Sequence, residues 1–527
     1  MDVLLPLFVA FPLASAALAV IVPQRRVREA LALAVPGLAI LAGGWLFHYT
    51  STHGTIAHNV GLYVGGVAIP FAADAFSAIM LVTTAIVTLA ANWFAVAAQE
   101  TRARFYPALS LMLFTGVSGA LLTADLFNLF VFIEVMLLPS YGLMAMTGTW
   151  SRLASGRIFV LVNLLTSTVL LIGVVFVYGV VGAVNIAALA GAARGHGPVT
   201  VAMGIVVLAL AVKAGVFPVH TWLPRTYPGT SPAVMGLFSG LHTKVAVYAL
   251  FRIYVMIFDL DPRWNWTIIV VMVISMLIGG FAGLAETTMR QVIGYQMVNG
   301  MPFILVVFAF SQHAPRLALA AGLLYALHHM ITIGSLVLTS GAIEETYGTG
   351  HLRKLSGLAR REPWLAFFFA AGAFSVVGFP PFSGLWGKVA VVVTVARAGD
   401  ARAWLVIAAI ILASFGALLS MLRVWREVFW GKPMNRAQVP RHLAVAPRLI
   451  WPGAVMMLLS LGMFFGAGPL FGAATTATSG LLDVPSYQRA VLGDPHSAVG
   501  QAAHADVPSG ARTVGAPAGA GESEVRS

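Results

Sequence analysis

The sequence contains no cysteine, and charged residues make up only 9% of its 527 positions. The absence of cysteine excludes disulfide bonds, thiolate metal sites, iron–sulfur ligation and cysteine nucleophiles in this chain. A soluble globular protein carries about a quarter charged residues, so the scarcity of charge excludes an ordinary soluble protein. The net charge is +12, but no basic run with interleaved aromatic residues occurs, and a nucleic-acid surface is therefore not indicated.

Hydrophobic residues, in contrast, make up 59% of the chain and form long runs between short polar segments. A helix that spans a bilayer needs about 20 such residues. The runs lack the alternation typical of barrel strands. The pattern predicts an all-α polytopic membrane protein with about fourteen transmembrane helices. The predicted spans are 3–22, 29–50, 74–98, 106–123, 125–146, 158–182, 200–223, 230–258, 266–287, 291–311, 317–343, 365–396, 402–430 and 448–475.

Basic residues in the loops predict the orientation of the chain. Most of the loop Lys and Arg follow odd-numbered spans, and the loops after even-numbered spans hold only Arg194, Arg263, Arg316, Arg397 and Arg402. Because Lys and Arg favour the cytoplasmic side of a membrane, odd-numbered loops are expected in the cytoplasm and both termini outside it. Beyond the last span, residues 476–527 are rich in Gly, Ala, Ser and Pro, which predicts a disordered tail.

Four charged residues fall deep in predicted spans, namely Glu134, Lys213, Lys244 and Lys388. Each costs about 2.5–3.5 kcal/mol on insertion scales, so the retention of four favours a functional role. Ion pairs that fix helix packing are the alternative. The proton affinity of a buried lysine depends on whether a carboxylate stays close, because a nearby negative charge favours the protonated form. A proton relay needs groups whose proton affinity changes in this way. Arg252, near a helix end, is expected to reach solvent, and Asp74 to cap a span.

Two predicted spans are interrupted by prolines beside a lysine. The segment AVKAGVFPVHTWLP places Pro218 and Pro224 after Lys213, and FSVVGFPPFSGLWGK places Pro380 and Pro381 before Lys388. Proline removes a helical hydrogen bond, and the freed backbone is tolerated inside a membrane where it is buried in protein or lines a wet cavity.

The two interruptions occupy equivalent positions. Each falls in the fourth helix of a five-helix unit, the first at 106–258 and the second at 266–430. An odd number of helices makes the second unit enter from the opposite face, so two inverted-topology repeats are predicted. Residues 1–105 are assigned to three preceding helices and 448–475 to a last one.

Four histidines are candidate members of the relay: His220, His242, His328 and His329. For each, a packing role is about equally supported. His328 and His329 are adjacent, so their side chains point about 100° apart on a helix and do not face one metal together. No phosphate loop, HExxH pair or catalytic triad is indicated, and neither a cofactor nor a metal is predicted.

Several long segments together resemble a known family. TADLFNLFVFIEVMLLPSYGLM, AVKAGVFPVHTWLPRTYPGTSPAVMGLFSGLHTKVAVYALFRIY, SGAIEETYGTGHLRKLSGL and FPPFSGLWGKV are similar to the antiporter-like subunits of Mrp cation/proton antiporters. The same family includes membrane subunits of NADH:quinone oxidoreductase and of membrane-bound hydrogenases. The resemblance covers roughly 70–475, and its pattern is most similar to the D-type Mrp subunits. Pro139, close after Glu134, departs from the family pattern.

The resemblance implies a role for each buried charge. Glu134 and Lys213 would form a charge-pair switch, Lys244 a central relay and Lys388 the exit group. The chain would then be a subunit of a hetero-oligomeric sodium/proton antiporter in a bacterial plasma membrane, not an enzyme. Its partners would be other subunits, the lipid bilayer, protons and sodium or another monovalent cation. The alternative is a proton-pumping membrane subunit of NADH:quinone oxidoreductase or of a hydrogenase, with redox centres in partner subunits.

Overall fold

The computed structural model describes residues 2–62, 68–146, 148–195, 197–432, 434, 440 and 443–493. Over these residues the chain is mainly α-helical. The α-helices are α1 (Leu7–Ile21), α2 (Arg25–His53), α3 (Ala75–Ala97), α4 (Tyr106–Leu122), α5 (Leu126–Ala145), α6 (Trp150–Val181), α7 (Gly197–Ala214), α8 (Trp222–Thr226), α9 (Pro232–Met256), α10 (Asn265–Ala282), α11 (Met289–Leu305), α12 (Pro315–Tyr347), α13 (Leu358–Arg361), α14 (Pro363–Val377), α15 (Ser383–Ala396), α16 (Ala401–Val424), α17 (Pro447–Phe465), α18 (Ala467–Leu482) and α19 (Val484–Leu492).

A small hairpin lies in the connection between α2 and α3. Strand β1 (Ile56–Asn59) pairs antiparallel with β2 (Pro70–Ala73), with Ile56 opposite Ala73. The sequence did not predict these strands. Helix α19 packs against both of them.

Within the described residues, twelve helices are long and apolar enough to cross a membrane. The helices α4, α14 and α15 are apolar but shorter. The prediction of an all-α multi-pass membrane protein is therefore confirmed. Every predicted span overlaps an observed helix or pair of helices, while the count of fourteen passes and the inverted repeats stay predictions.

The helices α9, α11 and α12 form the centre of the molecule. All residues of α9 are buried, and so are most of those in α11 and α12. Helix α12 packs against α9, α11, α14, α15, α17 and α18. In contrast, α1, α2 and α6 expose long apolar faces, which suits contact with lipid or with another membrane protein. Ionisable residues on the central helices are therefore enclosed by protein.

The structure contains both interruptions that the prolines predicted. Helix α7 ends before Gly215, whose φ is 76°, and α14 ends before Gly378, whose φ is 99°. Glycine adopts this left-handed conformation without the steric cost that a Cβ brings, and it commonly ends helices. The peptide bonds Phe217-Pro218 and Pro380-Pro381 within the interruptions are cis. The predicted spans 200–223 and 365–396 are thus each two helices.

The C-terminal part differs from the prediction. The predicted span 448–475 corresponds to α17 and part of α18, and residues 476–492, predicted to be disordered, are almost entirely helical. Helix α18 packs its small residues against α3 and α12, and α19 buries Tyr487, Val491 and Leu492. Composition alone misses such packing, because it counts small residues as flexible. Residues 494–527 of the predicted tail lie outside the described residues.

Candidate functional site

Lys213 is enclosed by helices of the first predicted unit. Its side chain lies near the end of α7, is 2% exposed, and donates from Nζ to Asn163 Oδ1 of α6 at 3.2 Å. The Glu134 carboxylate of α5 is close enough for electrostatic attraction. However, no ion pair within 4.0 Å joins the two residues in the described part of the chain. The sequence missed Asn163, a single amide in an apolar run.

Glu134 is partly enclosed and incompletely paired. Its Oε1 atom is buried without a hydrogen-bond partner among the described residues. The carboxylate and the Lys213 ammonium are therefore separated in this conformation, and the charge-pair switch that the resemblance implied stays a prediction. Pro139 follows within α5, and the helix continues through it to Ala145.

His242 connects α9 to the same helix as Glu134. Its Nε2 lies 2.8 Å from Ser140 Oγ, and that hydroxyl donates to the Met136 carbonyl oxygen at 2.6 Å. Because serine has one hydroxyl proton, Ser140 can donate to Met136 and accept from His242 at the same time in the tautomer that carries a proton on Nε2. Nδ1 is buried and has no partner in the described part of the chain. His242 also lies within electrostatic range of Lys213.

His220 lies in the interruption between α7 and α8. It is 6% exposed, and its ring faces that of Phe217 at a centroid distance of 6.3 Å. Its Nδ1 has no hydrogen-bond partner among the described residues. The interruption thus buries a titratable ring a few residues after Lys213, with no direct hydrogen bond between them.

Lys244 lies at the centre of the molecule and is fully buried in α9. Its Nζ contacts Thr243 Oγ1 at 3.3 Å and Met301 Sδ at 3.8 Å, and it makes no ion pair within the described residues. A hydroxyl and a thioether are weak partners for an ammonium group. Of the three buried lysines, Lys244 therefore has the weakest protein partners for its ammonium group.

Polar residues of α11 and α12 meet beside His329, which lies within electrostatic range of Lys244. His329 Nε2 is 3.5 Å from the Gln296 carbonyl oxygen, and Asn299 donates to the Gln296 side chain at 3.5 Å. His329 Nδ1, Gln296 Nε2 and Asn299 Oδ1 are buried without partners in the described part of the chain. Buried polar atoms are normally satisfied by protein or water, so this region is suited to hold water. The sequence did not identify Gln296 and Asn299, although two amides within an apolar span were a visible signal.

A glycine makes room for the His329 ring. A Cβ on Gly300 of α11 would lie 2.0 Å from His329 Cδ2, closer than any packed side chain allows. The ring is therefore held against the α11 backbone.

Lys388 lies just after the second interruption, in α15. Its Nζ donates to the Val377 carbonyl oxygen at 2.8 Å and to Ser414 Oγ at 2.7 Å. The ammonium also lies 4.9 Å from the centre of the Phe303 ring, a cation–π distance. Val377 is the last residue of α14, so its carbonyl lacks a helical partner. The lysine and the interruption are thus joined directly.

The two adjacent histidines of α12 face different neighbours. His328 Nδ1 lies 2.7 Å from Ser383 Oγ at the start of α15, whereas His329 faces α11. His328 is also within electrostatic range of Lys388. The expectation that the two rings point in different directions agrees with this geometry.

A buried ion pair lies near the end of α9, where the sequence predicted a solvent-reaching arginine. Arg252 donates to Asp74 Oδ2 at 2.7 Å, and the two side chains are 3% and 1% exposed. Asp74 also caps α3 through Ser77, as expected. The ring of Tyr487 in α19 lies 4.9 Å from the Arg252 guanidinium and covers it. The expectation for Arg252 is wrong because α19 packs over this end of the helix.

No group of three or more His, Asp or Glu side chains within the described ranges is arranged to hold a metal ion. The arrangement instead places groups that gain and lose protons on α5, α7, α9, α12 and α15. Several of them are buried beside polar atoms that water would satisfy. Such a series is suited to passing protons between neighbouring groups at membrane depth.

Comparisons with known proteins identify the family to which the chain belongs. Residues 123–416 match the family model described as "NADH:quinone oxidoreductase/Mrp antiporter, TM". The D-type subunit of the Na(+)/H(+) antiporter of Bacillus subtilis is 31% identical over 499 residues, which cover 93% of this chain and 99% of that protein. The subunit of the same name from Alkalihalophilus pseudofirmus is 32% identical over 448 residues, covering 84% and 89%.

Solved structures agree. A chain in the structure of the Mrp complex from Dietzia sp. DQ12-45-1b is 40% identical, with a TM-score of 0.88 and coverage of 93% of this chain and 99% of that one. A chain of respiratory complex I from Thermus thermophilus, 23% identical with a TM-score of 0.75 and coverage of 92% and 100%, shares the fold. The chain belongs to the family of NADH:quinone oxidoreductase and Mrp antiporter membrane subunits.

Proposed function

We propose that this chain is the D-type subunit of a multi-subunit monovalent cation/proton antiporter and provides its transmembrane proton pathway. The observation that carries the proposal is the set of buried lysines on α7, α9 and α15, in a chain whose relatives over most of its length are named as D-type Na(+)/H(+) antiporter subunits. Those names favour the antiporter over a redox-driven pump. The partners are the other antiporter subunits, the bilayer, protons and sodium or another monovalent cation.

In this proposal the first step of the pathway is a change of partner by Lys213. With its ammonium on Asn163, the lysine is separated from the Glu134 carboxylate, whose Oε1 is unpaired among the described residues. A rotation of the lysine side chain toward α5 would join the two charges and satisfy that oxygen. Because a close carboxylate strengthens the hold of a buried lysine on its proton, opening the pair favours proton release and closing it favours uptake.

Lys244 and Lys388 carry the proton onward. The weak protein partners of Lys244 leave its ammonium dependent on water, so it exchanges protons with hydrated neighbours rather than with a fixed carboxylate. His329 lies within electrostatic range of Lys244, and His242 lies two positions before it in α9, while His220 and His328 accompany the two interruptions. Lys388, held by the backbone of the second interruption, acts as the exit group.

The proposal includes the organisation and orientation of the chain. Residues 106–258 and 266–430 form two inverted units, and both termini face outward from a bacterial plasma membrane. The exposed positions Arg316 and Lys354 test this in the Cys-free sequence. Arg316→Cys should react with an impermeant thiol reagent in intact cells, and Lys354→Cys only after permeabilisation. The opposite pattern would invert the topology.

The proposed function is tested with the complete set of antiporter subunits, purified together and reconstituted in liposomes. The complex should couple sodium or another monovalent cation to proton movement, without added electron donors. The chain reconstituted alone should not, because a relay needs water access at both ends and partner subunits supply it. Exchange by the isolated chain, or proton movement that requires a redox substrate, would contradict the proposal.

A further inference from the structure

Four hydroxyl side chains from four helices meet beside His328. They are Thr332 of α12, Ser375 of α14, Ser383 of α15 and Ser460 of α17, and each is at most 4% exposed. None of them stands out in the sequence. Ser460 lies outside both predicted five-helix units, so the cluster extends the candidate pathway to an additional helix.

The five side chains are joined by close contacts. Ser383 Oγ lies 2.7 Å from His328 Nδ1, and Thr332 Oγ1 lies 3.1 Å from the same nitrogen. Ser460 Oγ lies 2.7 Å from Ser383, 3.0 Å from Thr332 and 3.3 Å from Ser375. Thr332 and Ser375 are 3.3 Å apart. Six contacts therefore connect the cluster, whereas its four hydroxyls supply only four protons.

Because the cluster has more close contacts than hydroxyl protons, the protons can be arranged in two complete hydrogen-bond patterns. When His328 Nδ1 is bare, Ser383 donates to it, Ser460 donates to Ser383, Thr332 to Ser460, and Ser375 to Thr332. When Nδ1 carries a proton, it donates to Ser383, which donates to Ser460. Ser460 then donates to Thr332, Thr332 to Ser375, and Ser375 to Ser460. No heavy atom moves, and every hydroxyl proton has an acceptor in both patterns.

The cluster also joins the two sides of the second interruption. Ser375 precedes the break and Ser383 follows it. Gly384 permits this approach, because a Cβ there would lie 1.7 Å from the Ser375 carbonyl oxygen and 3.1 Å from His328 Cε1. The other ring nitrogen, Nε2, is buried and has no hydrogen-bond partner in the described part of the chain. When Nδ1 carries the proton of the neutral ring, this nitrogen is bare and can accept a proton.

We propose that Thr332, Ser375, Ser383 and Ser460 form a hydrogen-bond circuit that positions His328 for proton transfer by accommodating its Nδ1 both with and without a proton. With Nδ1 protonated and held by Ser383, Nε2 of the neutral ring is bare, and a proton that reaches it gives an imidazolium. The proton leaves from Nε2 and restores the same tautomer, so the balance is one proton in and one proton out. With Nδ1 bare, Nε2 carries the ring proton and accepts no other, so the circuit sets which tautomer His328 adopts. The inference rests on the proposed function, because it assigns His328 a place in that pathway. The hydroxyls are positioning residues, and the transferring atom is Nε2.

The Ser460→Ala variant breaks the circuit at its most connected member and leaves both direct partners of His328 in place. Ser383 then has no acceptor for its proton other than Nδ1, so the bare form of Nδ1 is favoured. Cation-dependent proton transport by the whole complex should fall about tenfold or more. Ser460→Thr keeps a hydroxyl and should restore transport. Ser335→Ala is the matched control, because Ser335 also links α12 to α17, through the Gly453 carbonyl oxygen at 2.7 Å, outside the cluster.

A second readout separates this inference from the proposed function. Nitrogen-15 NMR of histidine-labelled complex, with His328→Gln to assign the signal, reports which ring nitrogen carries the proton. The wild type should show a population with protonated Nδ1. This population should be lost in Ser460→Ala and reduced in Ser383→Ala, which removes the nearer of the two oxygens that accept from Nδ1. If the wild-type complex does not exchange cations for protons, the proposed function fails while the NMR result still tests the circuit.

Two results would overturn the inference. One is Ser460→Ala transport equal to that of Ser335→Ala at equal subunit level. The other is a His328 nitrogen spectrum that is the same in Ser460→Ala, Ser383→Ala and the wild type. If Ser460→Ala lowers the amount of assembled complex, Ser383→Ala is compared with Ser335→Ala in the same two measurements.

Discussion

Lys388 donates a hydrogen bond to the carbonyl oxygen of Val377, 2.8 Å away on the other side of a helix interruption. That carbonyl is among the groups that the end of α14 leaves without helical partners. The lysine therefore satisfies backbone exposed by the interruption, and the interruption fixes the position of the lysine. The pairing of a broken helix with a buried ammonium, which the sequence displayed as FPPFSGLWGK, thus has a direct physical basis.

Lys388→Arg separates the structural role of this residue, hydrogen bonding across the interruption, from its proposed role in releasing a proton. The guanidinium keeps the positive charge and can donate to Val377 and Ser414, but it does not lose its proton in proteins. The variant should therefore assemble and transport no protons. Lys388→Ala should also be inactive, with less assembled complex. Antiport in vesicles and subunit levels on blots check both, and an Arg variant with wild-type transport would show that Lys388 releases no proton.

The Arg252–Asp74 pair should contribute to stability rather than to transport. Asp74→Asn keeps a side chain that caps α3 but leaves the buried arginine unpaired, which costs about 3–5 kcal/mol. The thermal midpoint of the purified complex should fall. Asp259→Asn is the matched control, because Asp259 and its partner Arg194 are 41% and 55% exposed, and an exposed pair contributes about 0–1 kcal/mol. Equal midpoints for the two variants would contradict this assignment.

Glu100, in the loop between α3 and α4, should make stability depend on pH. Burial raises the pKa of its carboxyl from 4.5 to about 7, although the Ser231 hydroxyl, 2.5 Å from Oε2, opposes the shift. Because the folded pKa is the higher one, folding is progressively disfavoured as pH rises from 4.5 to about 7.

Glu100→Gln removes this ionisation. The variant should be more stable than the wild type above pH 7, by up to about 3 kcal/mol, and gain nothing from this effect below about pH 4.5. Comparing the thermal midpoints of the variant and wild-type complexes at about pH 4.5 and about pH 8.5 tests whether the gain in stability appears only at the higher pH. A gain that is equal at both values would mean that the effect is not one of ionisation.

Local signals in the sequence were sufficient to predict the fold class and both interruptions. Apolar runs of membrane length identify spans without knowledge of their neighbours, and the pairs Phe217-Pro218 and Phe379-Pro380 mark backbone that a helix does not accommodate. The four deep charges were equally visible, because each is rare in an apolar run.

The contacts of these charges were not visible in the sequence. Whether Lys213 bonds Glu134 or Asn163 depends on how α5, α6 and α7 pack. The hydroxyl cluster gave no signal either, because serine and threonine in membrane helices usually bond to their own backbone, as Thr115 does to the Leu111 carbonyl. Thr332 and Ser460, by contrast, meet across 128 positions of the chain.

In the proposed pathway, Glu134 and Lys213 form a separable pair that controls proton uptake and release. Because Lys213 rests on Asn163 and not on the carboxylate, removing either charge should cost less than breaking a buried contact pair. Glu134→Gln and Lys213→Ala should therefore reach normal levels in the complex.

The decisive measurement is sodium-dependent proton transport in everted vesicles, with subunit levels determined in the same membranes. Glu134→Gln, Lys213→Ala and the double variant Glu134→Gln/Lys213→Met are compared with the wild type. We expect normal levels and no transport in all three variants, because each lacks a group that carries or controls the proton. Low levels in the single variants together with restored transport in the double variant would contradict it, since the two charges would then serve only packing.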